Sequence, residues 1–119
     1  MKTILIIEDE FGIALLLATV LEDEGYRVFM AANGRQGLER LEECRPDLVI
    51  SDLMMPTMDG ATMARTMRAD PAYRNIPIIM MSALPEAAVR EKFDGYDAFL
   101  SKPFLEPILL KTVAGLLDR

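Results

Sequence analysis

Leu48-Val49-Ile50-Ser51-Asp52-Leu53-Met54-Met55-Pro56-Thr57-Met58-Asp59-Gly60 opens as an unbroken apolar run and stops on a carboxylate. An unbroken run, unlike an alternating one, reads as a strand covered on both faces, as in a parallel sheet packed between helices. The same pattern recurs along the chain. Thr3-Ile4-Leu5-Ile6-Ile7 ends on Glu8 and Asp9, Ile78-Ile79-Met80-Met81 on Ser82, and Ala98-Phe99-Leu100-Ser101 on Lys102. Each of these runs reads as a strand buried on both faces. Open parallel α/β sheets bind ligands outside the carboxyl ends of their strands. Three acids, a hydroxyl and a lysine are therefore expected at one edge of one sheet. Acids suit a hard cation, and a lysine with a hydroxyl suits an anion. Together they describe Mg²⁺-assisted phosphoryl chemistry built on a carboxylate.

Working outward, strand and helix patterns alternate five times, which predicts a parallel sheet with helices on both faces. Strands are expected over 3–7, 27–31, 48–51, 78–81 and 98–100. Helices are expected over 11–24, 34–43, 60–69, 85–93 and 104–118. Gly25 suits the residue after a helix end. Asn33 and Asp59 suit N-caps. Pro46, Pro71 and Pro77 mark loops, and Pro85 suits a first helical turn. In the first helix, Ile13, Leu16, Leu17, Val20 and Leu21 share one face at helical spacing and are expected in the core. Ala14, Leu15 and Ala18 fall on another side. That side is either ordinary surface or a docking face for a partner helix.

The chain has 119 residues, enough for one domain and its core, and 51% are hydrophobic, which excludes a disordered chain. A net charge of −6 argues against a nucleic-acid-binding surface. The apolar stretch from Ile13 to Leu21 is too short to span a bilayer. Glu8-Asp9-Glu10 sits where a signal peptide would be apolar, so a cytoplasmic protein is the expectation. Cys44 is the only cysteine and there is no histidine to activate it, so it reads as a partly buried helix-end residue.

Asp52 could be a plain helix cap, but the next helix begins only at Asp59 or Gly60, which leaves the carboxylate free at the sheet edge. Such a group can act as a nucleophile toward phosphorus. Glu8 and Asp9 are adjacent like charges whose repulsion a divalent cation would relieve. Mg²⁺ (or Mn²⁺) keeps several waters, so few carboxylates are needed. Their alternative use is to start a helix favourably through its dipole, which suits Glu10 best. Lys102 is a point cation able to pair with Asp52 and with phosphoryl oxygens. Most lysines are simply solvated, but this one is wedged between a buried strand and Pro103, and Lys102-Pro103 is a candidate cis bond.

Taken together, Glu8-Asp9, Asp52 with Met55-Pro56-Thr57-Met58-Asp59-Gly60, Ser82-Ala83 and Lys102-Pro103-Phe104 resemble, in strand order, the receiver domain of two-component response regulators. The resemblance covers residues 1–119. It implies a single flavodoxin-like (βα)5 domain with a five-stranded parallel sheet of order 2-1-3-4-5. It implies that Asp52 accepts a phosphoryl group from a phosphohistidine on a sensor histidine kinase or histidine phosphotransfer protein. Asp9, Asp52 and the backbone carbonyl of Met54 would bind Mg²⁺, with Glu8 helping through water. Lys102 and Ser82 would hold the phosphoryl oxygens, and Phe99 falls on the family's aromatic switch position. The face made by the fourth helix, fifth strand and fifth helix would relay the change. The only catalysis implied is the chain's own phosphorylation and dephosphorylation.

Some positions depart from that pattern. The stretch from Ser82 to Lys102 is a little shorter than usual, which predicts a trimmed fourth helix or loop. Ala98, Ile108 and Thr112 stand where many DNA-binding members carry Asp, Glu and Arg, so their salt-bridged dimer is not expected. A monomer, or a weak phosphorylation-dependent dimer, is. Met54 and Leu84 flank the site with apolar side chains that cannot orient an attacking water. Slow self-dephosphorylation is expected, with Met54→Asn speeding phosphate release. The alternatives are a phosphorylation-independent interaction module and a small aspartyl phosphatase. The intact acids and lysine argue against the first. The lack of a D-x-D motif after the first strand argues against the second.

Overall fold

A computed structural model describes residues 1–118. Five strands alternate with five helices: β1 Thr3–Ile7, α1 Phe11–Asp23, β2 Arg27–Ala31, α2 Gly34–Cys44, β3 Leu48–Asp52, α3 Gly60–Ala69, β4 Ile78–Ser82, α4 Glu86–Lys92, β5 Ala98–Ser101 and α5 Glu106–Leu117. The strands form one sheet in the order β2-β1-β3-β4-β5, with every pairing parallel. This is the flavodoxin-like order, and it places β1 and β3 side by side at the centre.

Alternation along the strands divides the core. Ile4, Ile6, Leu48, Ile50, Ile79 and Met81 face α1 and α5. Leu5, Ile7, Val49, Ile78 and Met80 face α2, α3 and α4. β1, β3 and β4 are buried through both faces, which is why their sequences read as unbroken runs. β5 differs from expectation. It is an edge strand, with Ala98 and Phe99 half-buried and Ser101 exposed. A short apolar run does not say whether a neighbour lies on both sides.

The predicted caps are present. Asn33 accepts from Gln36 N at 2.9 Å and Asp59 from Thr62 N at 2.8 Å. Gly25 has φ +92, the left-handed conformation a residue after a helix end adopts. β3, β4 and β5 each run one residue beyond the predicted end, so Asp52 and Ser82 are themselves the last residues of their strands. α4 is short, 7 residues, and Pro85 is its N-cap rather than part of its first turn. Cys44 is the last residue of α2 and is half-buried.

α1 corrects the predicted orientation. The buried residues are Ala14, Leu17, Ala18 and Leu21, with Ala14 2% and Ala18 4% exposed. Leu16, expected in the core, is 64% exposed; Ile13 is also exposed, and Val20 is half-buried. The helix is apolar nearly all round, so periodicity alone could not choose a face. The small alanines let the helix axis sit close to the sheet beside Leu17 and Leu21, and Leu15 and Leu16 turn outward.

Candidate functional site

The carboxyl ends of β1 and β3 lie next to each other, so Glu8, Asp9 and Asp52 meet. One carboxylate oxygen from each lies within 4.8 Å of the others. Glu8 and Asp52 are buried and Asp9 is exposed. Lys102 reaches in from the end of β5. Its Nζ donates to Glu8 Oε1 at 2.8 Å and lies 3.3 Å from Asp52 Oδ1. Glu8, rather than Asp52, is therefore the nearer partner of Lys102. The Lys102-Pro103 peptide is cis.

Electrostatically the cluster is unbalanced, with three carboxylates against one ammonium. Burial pushes the Glu8 carboxyl above its ordinary value; the Lys102 hydrogen bond opposes this, and the Asp52 charge adds to it. Burial also raises Asp52, Lys102 opposes, and Asp9 adds a smaller upward push. Burial alone would lower the Lys102 ammonium, but its hydrogen bond to Glu8 and the charges of Asp52 and Glu8 carry it above its usual value. A crowded set of hard oxygen donors with surplus negative charge fits a divalent cation.

The backbone beneath Asp52 is fixed by close packing. A Cβ on Gly60 would lie 2.3 Å from the Asp52 carbonyl oxygen, and Gly60 N donates to Leu53 O at 2.8 Å. The third helix thus begins in contact with the strand end it follows. The loop between them turns at Thr57, which has φ 69, while Met58 N donates to Pro56 O at 2.7 Å. Met54, on the same loop, is 59% exposed.

Ser82 ends β4 beside Asp52, with its hydroxyl accepting from Leu84 N at 3.0 Å. The hydroxyl proton stays free to be donated elsewhere. Lys102 N donates to Ser82 O at 2.9 Å, so the two residues share a backbone link. Phe99 and Leu84 are half-buried against the core on the α2–α4 side, and the Phe99 ring centroid lies 6.1 Å from that of Tyr96.

The side of α1 with Ala14, Leu15 and Ala18, read as either ordinary surface or a docking face, is neither, because both alanines are buried; of the three, only Leu15 is exposed. An apolar groove of about 380 Å³ lies on another side of α1, where Ile13 and Leu16 face Lys102, Pro103 and Phe104. Leu105 and Ile108 extend the exposed apolar surface next to it. The fifth helix is expected from residue 104, but it begins at Glu106, which leaves Leu105 at its N-cap.

The chain belongs to the response regulator receiver domain family, which matches residues 4–114. It is 37% identical over 123 residues to the DNA-binding dual master transcriptional regulator RpaA of Synechocystis sp., covering 100% of this chain and 50% of that protein. The chain spans about half the length of the curated relatives it matches. Among solved structures it is similar to the receiver domain of a signal transduction histidine kinase from Syntrophus aciditrophicus, with 38% identity and a TM-score of 0.92 over 99% of this chain and 91% of that one. It is also similar to the response regulator TrrA of Thermotoga maritima in complex with Mg²⁺-BeF, with 32% identity and a TM-score of 0.89 over 98% of this chain and 100% of that one. The chain is thus a phosphoryl-accepting switch domain of two-component signalling, and such domains interact with histidine kinases. Among the described residues, no helix is long and apolar enough to cross a membrane.

Proposed function

We propose that Asp52 is the phospho-acceptor of a Mg²⁺-dependent switch. A carboxylate oxygen of Asp52 attacks the phosphorus of a phosphohistidine on the partner kinase or phosphotransfer protein. The new P–O bond forms as the P–N bond breaks, and the imidazole leaves with the electron pair and regains a proton. Asp9, Asp52 and the Met54 carbonyl would hold Mg²⁺, with Glu8 acting through water. The ion would supply charge neutralisation as three negative groups approach the incoming phosphoryl group. Lys102 is within reach of both Glu8 and Asp52 and would follow the new charge on Asp52. Ser82 would donate its free proton to a phosphoryl oxygen. The β4–α4 loop then moves, and Phe99 turns into the space released, a shift between two packings driven by local charge. Met54 and Leu84 place no polar group to orient water, which favours a long-lived phosphoryl state.

The observation that carries this reading is the group of three carboxylates within 4.8 Å of one another beside a single lysine. The phosphodonor would dock in the groove between α1 and the β5–α5 loop. That groove is apolar and is lined by Lys102, and a helix lying across Leu16 and Ile13 would bring its histidine towards Asp52.

Intact mass after incubation with Mg²⁺ and acetyl phosphate tests the chemistry. One phosphoryl group is expected on the parent, and none on Asp52→Asn or after chelation. An adduct that survives Asp52→Asn would move the acceptor elsewhere.

A further inference from the structure

We propose that Tyr96, Glu86 and Arg90 form a latch that holds α4 in the unphosphorylated arrangement and sets how readily Phe99 turns. The inference rests on the switch reading above and adds to it a positioning residue, Tyr96.

The three side chains close a triangle. The Tyr96 hydroxyl donates to Glu86 Oε2 at 2.7 Å, and Arg90 donates through Nε to that hydroxyl at 3.2 Å and through a terminal nitrogen to Glu86 Oε2 at 3.2 Å. Glu86 and Arg90 stand one turn apart on α4, whereas Tyr96 lies in the loop entering β5. The triangle therefore fastens the first turn of α4 to the approach of the switch strand. The Tyr96 ring also lies against Phe99, with centroids 6.1 Å apart and planes at 46°. One side chain thus touches both parts that the switch must move.

α4 has little else to hold its start. It is 7 residues long, its N-cap Pro85 makes no side-chain capping bond, and Val89 is its buried residue. A helix this short is not stable by itself in water. Its far end is tied by Arg65, which donates to Lys92 O at 2.6 Å. Its near end follows Ser82 after only Ala83, Leu84 and Pro85. Drawing Ser82 toward a phosphoryl group pulls this connection, and the pull arrives at Glu86. The triangle must stretch or break before Phe99 can leave the Tyr96 ring. Tyr96 also holds the Glu86 carboxyl below its usual range, so the latch carboxylate is charged at neutral pH.

Interactions present in only one of two states bias the equilibrium by their own free energy. Removing this triangle should therefore favour the activated arrangement. The test is a titration of the parent, Tyr96→Phe and Glu86→Ala with Mg²⁺ and beryllofluoride, followed by amide NMR. Tyr96→Phe keeps the ring on Phe99 and removes the hydroxyl; Glu86→Ala removes the acceptor and leaves Tyr96 intact. Both should bind beryllofluoride more tightly than the parent, by roughly three- to tenfold for an exposed charge-assisted network. The amides of α4 should exchange faster in both variants before the ligand is added. Tighter binding is the decisive readout, since mere loss of structure would weaken a ligand site. Parental affinity in both variants, with the parent itself responding, would overturn the latch alone. A parent whose Ser82 and Phe99 signals do not move would overturn the switch reading and the latch with it.

Discussion

Both edges of the sheet carry clustered ions, but the two are arranged in opposite ways. At the amino edge, Arg68 from the end of α3 donates to the carbonyls of Gly95, Arg74 and Ile76 at 3.0, 2.8 and 2.7 Å and to Asp97 Oδ2 at 2.8 Å. Asp97 Oδ2 also accepts from Ile78 N at 2.8 Å, at the start of β4. One cation meets one anion, and the remaining donors meet loop carbonyls. At the carboxyl edge, Glu8, Asp9 and Asp52 crowd together, and Lys102 pairs with Glu8 and Asp52. The first arrangement is electrically complete and clamps loops. The second carries surplus negative charge, which fits a divalent cation.

The widest separation between the edges should appear in stability without Mg²⁺. Arg68→Ala leaves Asp97 without its cation and three loop carbonyls without their donor, and should destabilise by about 2–4 kcal/mol. Asp52→Asn removes one of three crowded charges and should stabilise by about 1 kcal/mol at neutral pH. The sign follows from the raised carboxyl of Asp52. A folded value above the unfolded one means that its contribution is intact at low pH and is lost as pH rises through the folded value. The Asn variant should therefore gain on the parent as pH rises out of the ordinary carboxylate range. Urea melts across that range measure both. If both variants destabilise to a similar degree, the two edges are alike and the contrast fails.

Adding Mg²⁺ should narrow the gap. At ten times its dissociation constant, an ion that binds only the folded state adds about 1.4 kcal/mol. The parent and Arg68→Ala should show that gain, and Asp52→Asn and Asp9→Asn should lose most of it. An equal gain in all four proteins would place the ion outside the carboxyl edge.

How much of this was legible follows from the same contrast. Asp52, Glu8, Asp9 and Lys102 were readable because each interrupts an apolar run at a strand end, and topology then brings strand ends together. The Arg68 clamp was not readable. It satisfies carbonyls in loops that carry no side-chain signature, and Arg68 looks like any basic residue in a last helical turn. The outward face of α1 was misread because Leu and Ala are both apolar, and only the width of the gap over the sheet decides which one fits. The Tyr96 triangle spans a loop and a two-turn helix, and no periodicity links its members. Strand order, by contrast, came through resemblance to a family, since alternation predicts a parallel sheet but not which strand lies at its centre.

The smallest expected effect compares strain at the two edges. Among the described residues, two non-glycine positions have positive φ: Arg45, with φ 44 after α2 at the amino edge, and Thr57, with φ 69 in the loop after Asp52. Left-handed backbone costs an L-residue about 1–2 kcal/mol, and a β-branched one is the less tolerant. At Arg45 the conformation closes a helix, with its N–H donating to Leu41 O at 3.0 Å. At Thr57 it bends the loop that carries Met54. Glycine relieves the strain at either position but loses more entropy on folding, about 0.5–1 kcal/mol. Thr57→Gly should therefore stabilise by about 0.5–1 kcal/mol and Arg45→Gly by less, measured as shifts in the urea midpoint. Strain stored beside a binding site is useful only if the site draws on it. Thr57→Gly should accordingly alter Mg²⁺ affinity, whereas Arg45→Gly should leave it unchanged. Destabilisation by Thr57→Gly would show that the threonine side chain offsets its own backbone cost, and the strain at the carboxyl edge would then be ordinary loop geometry.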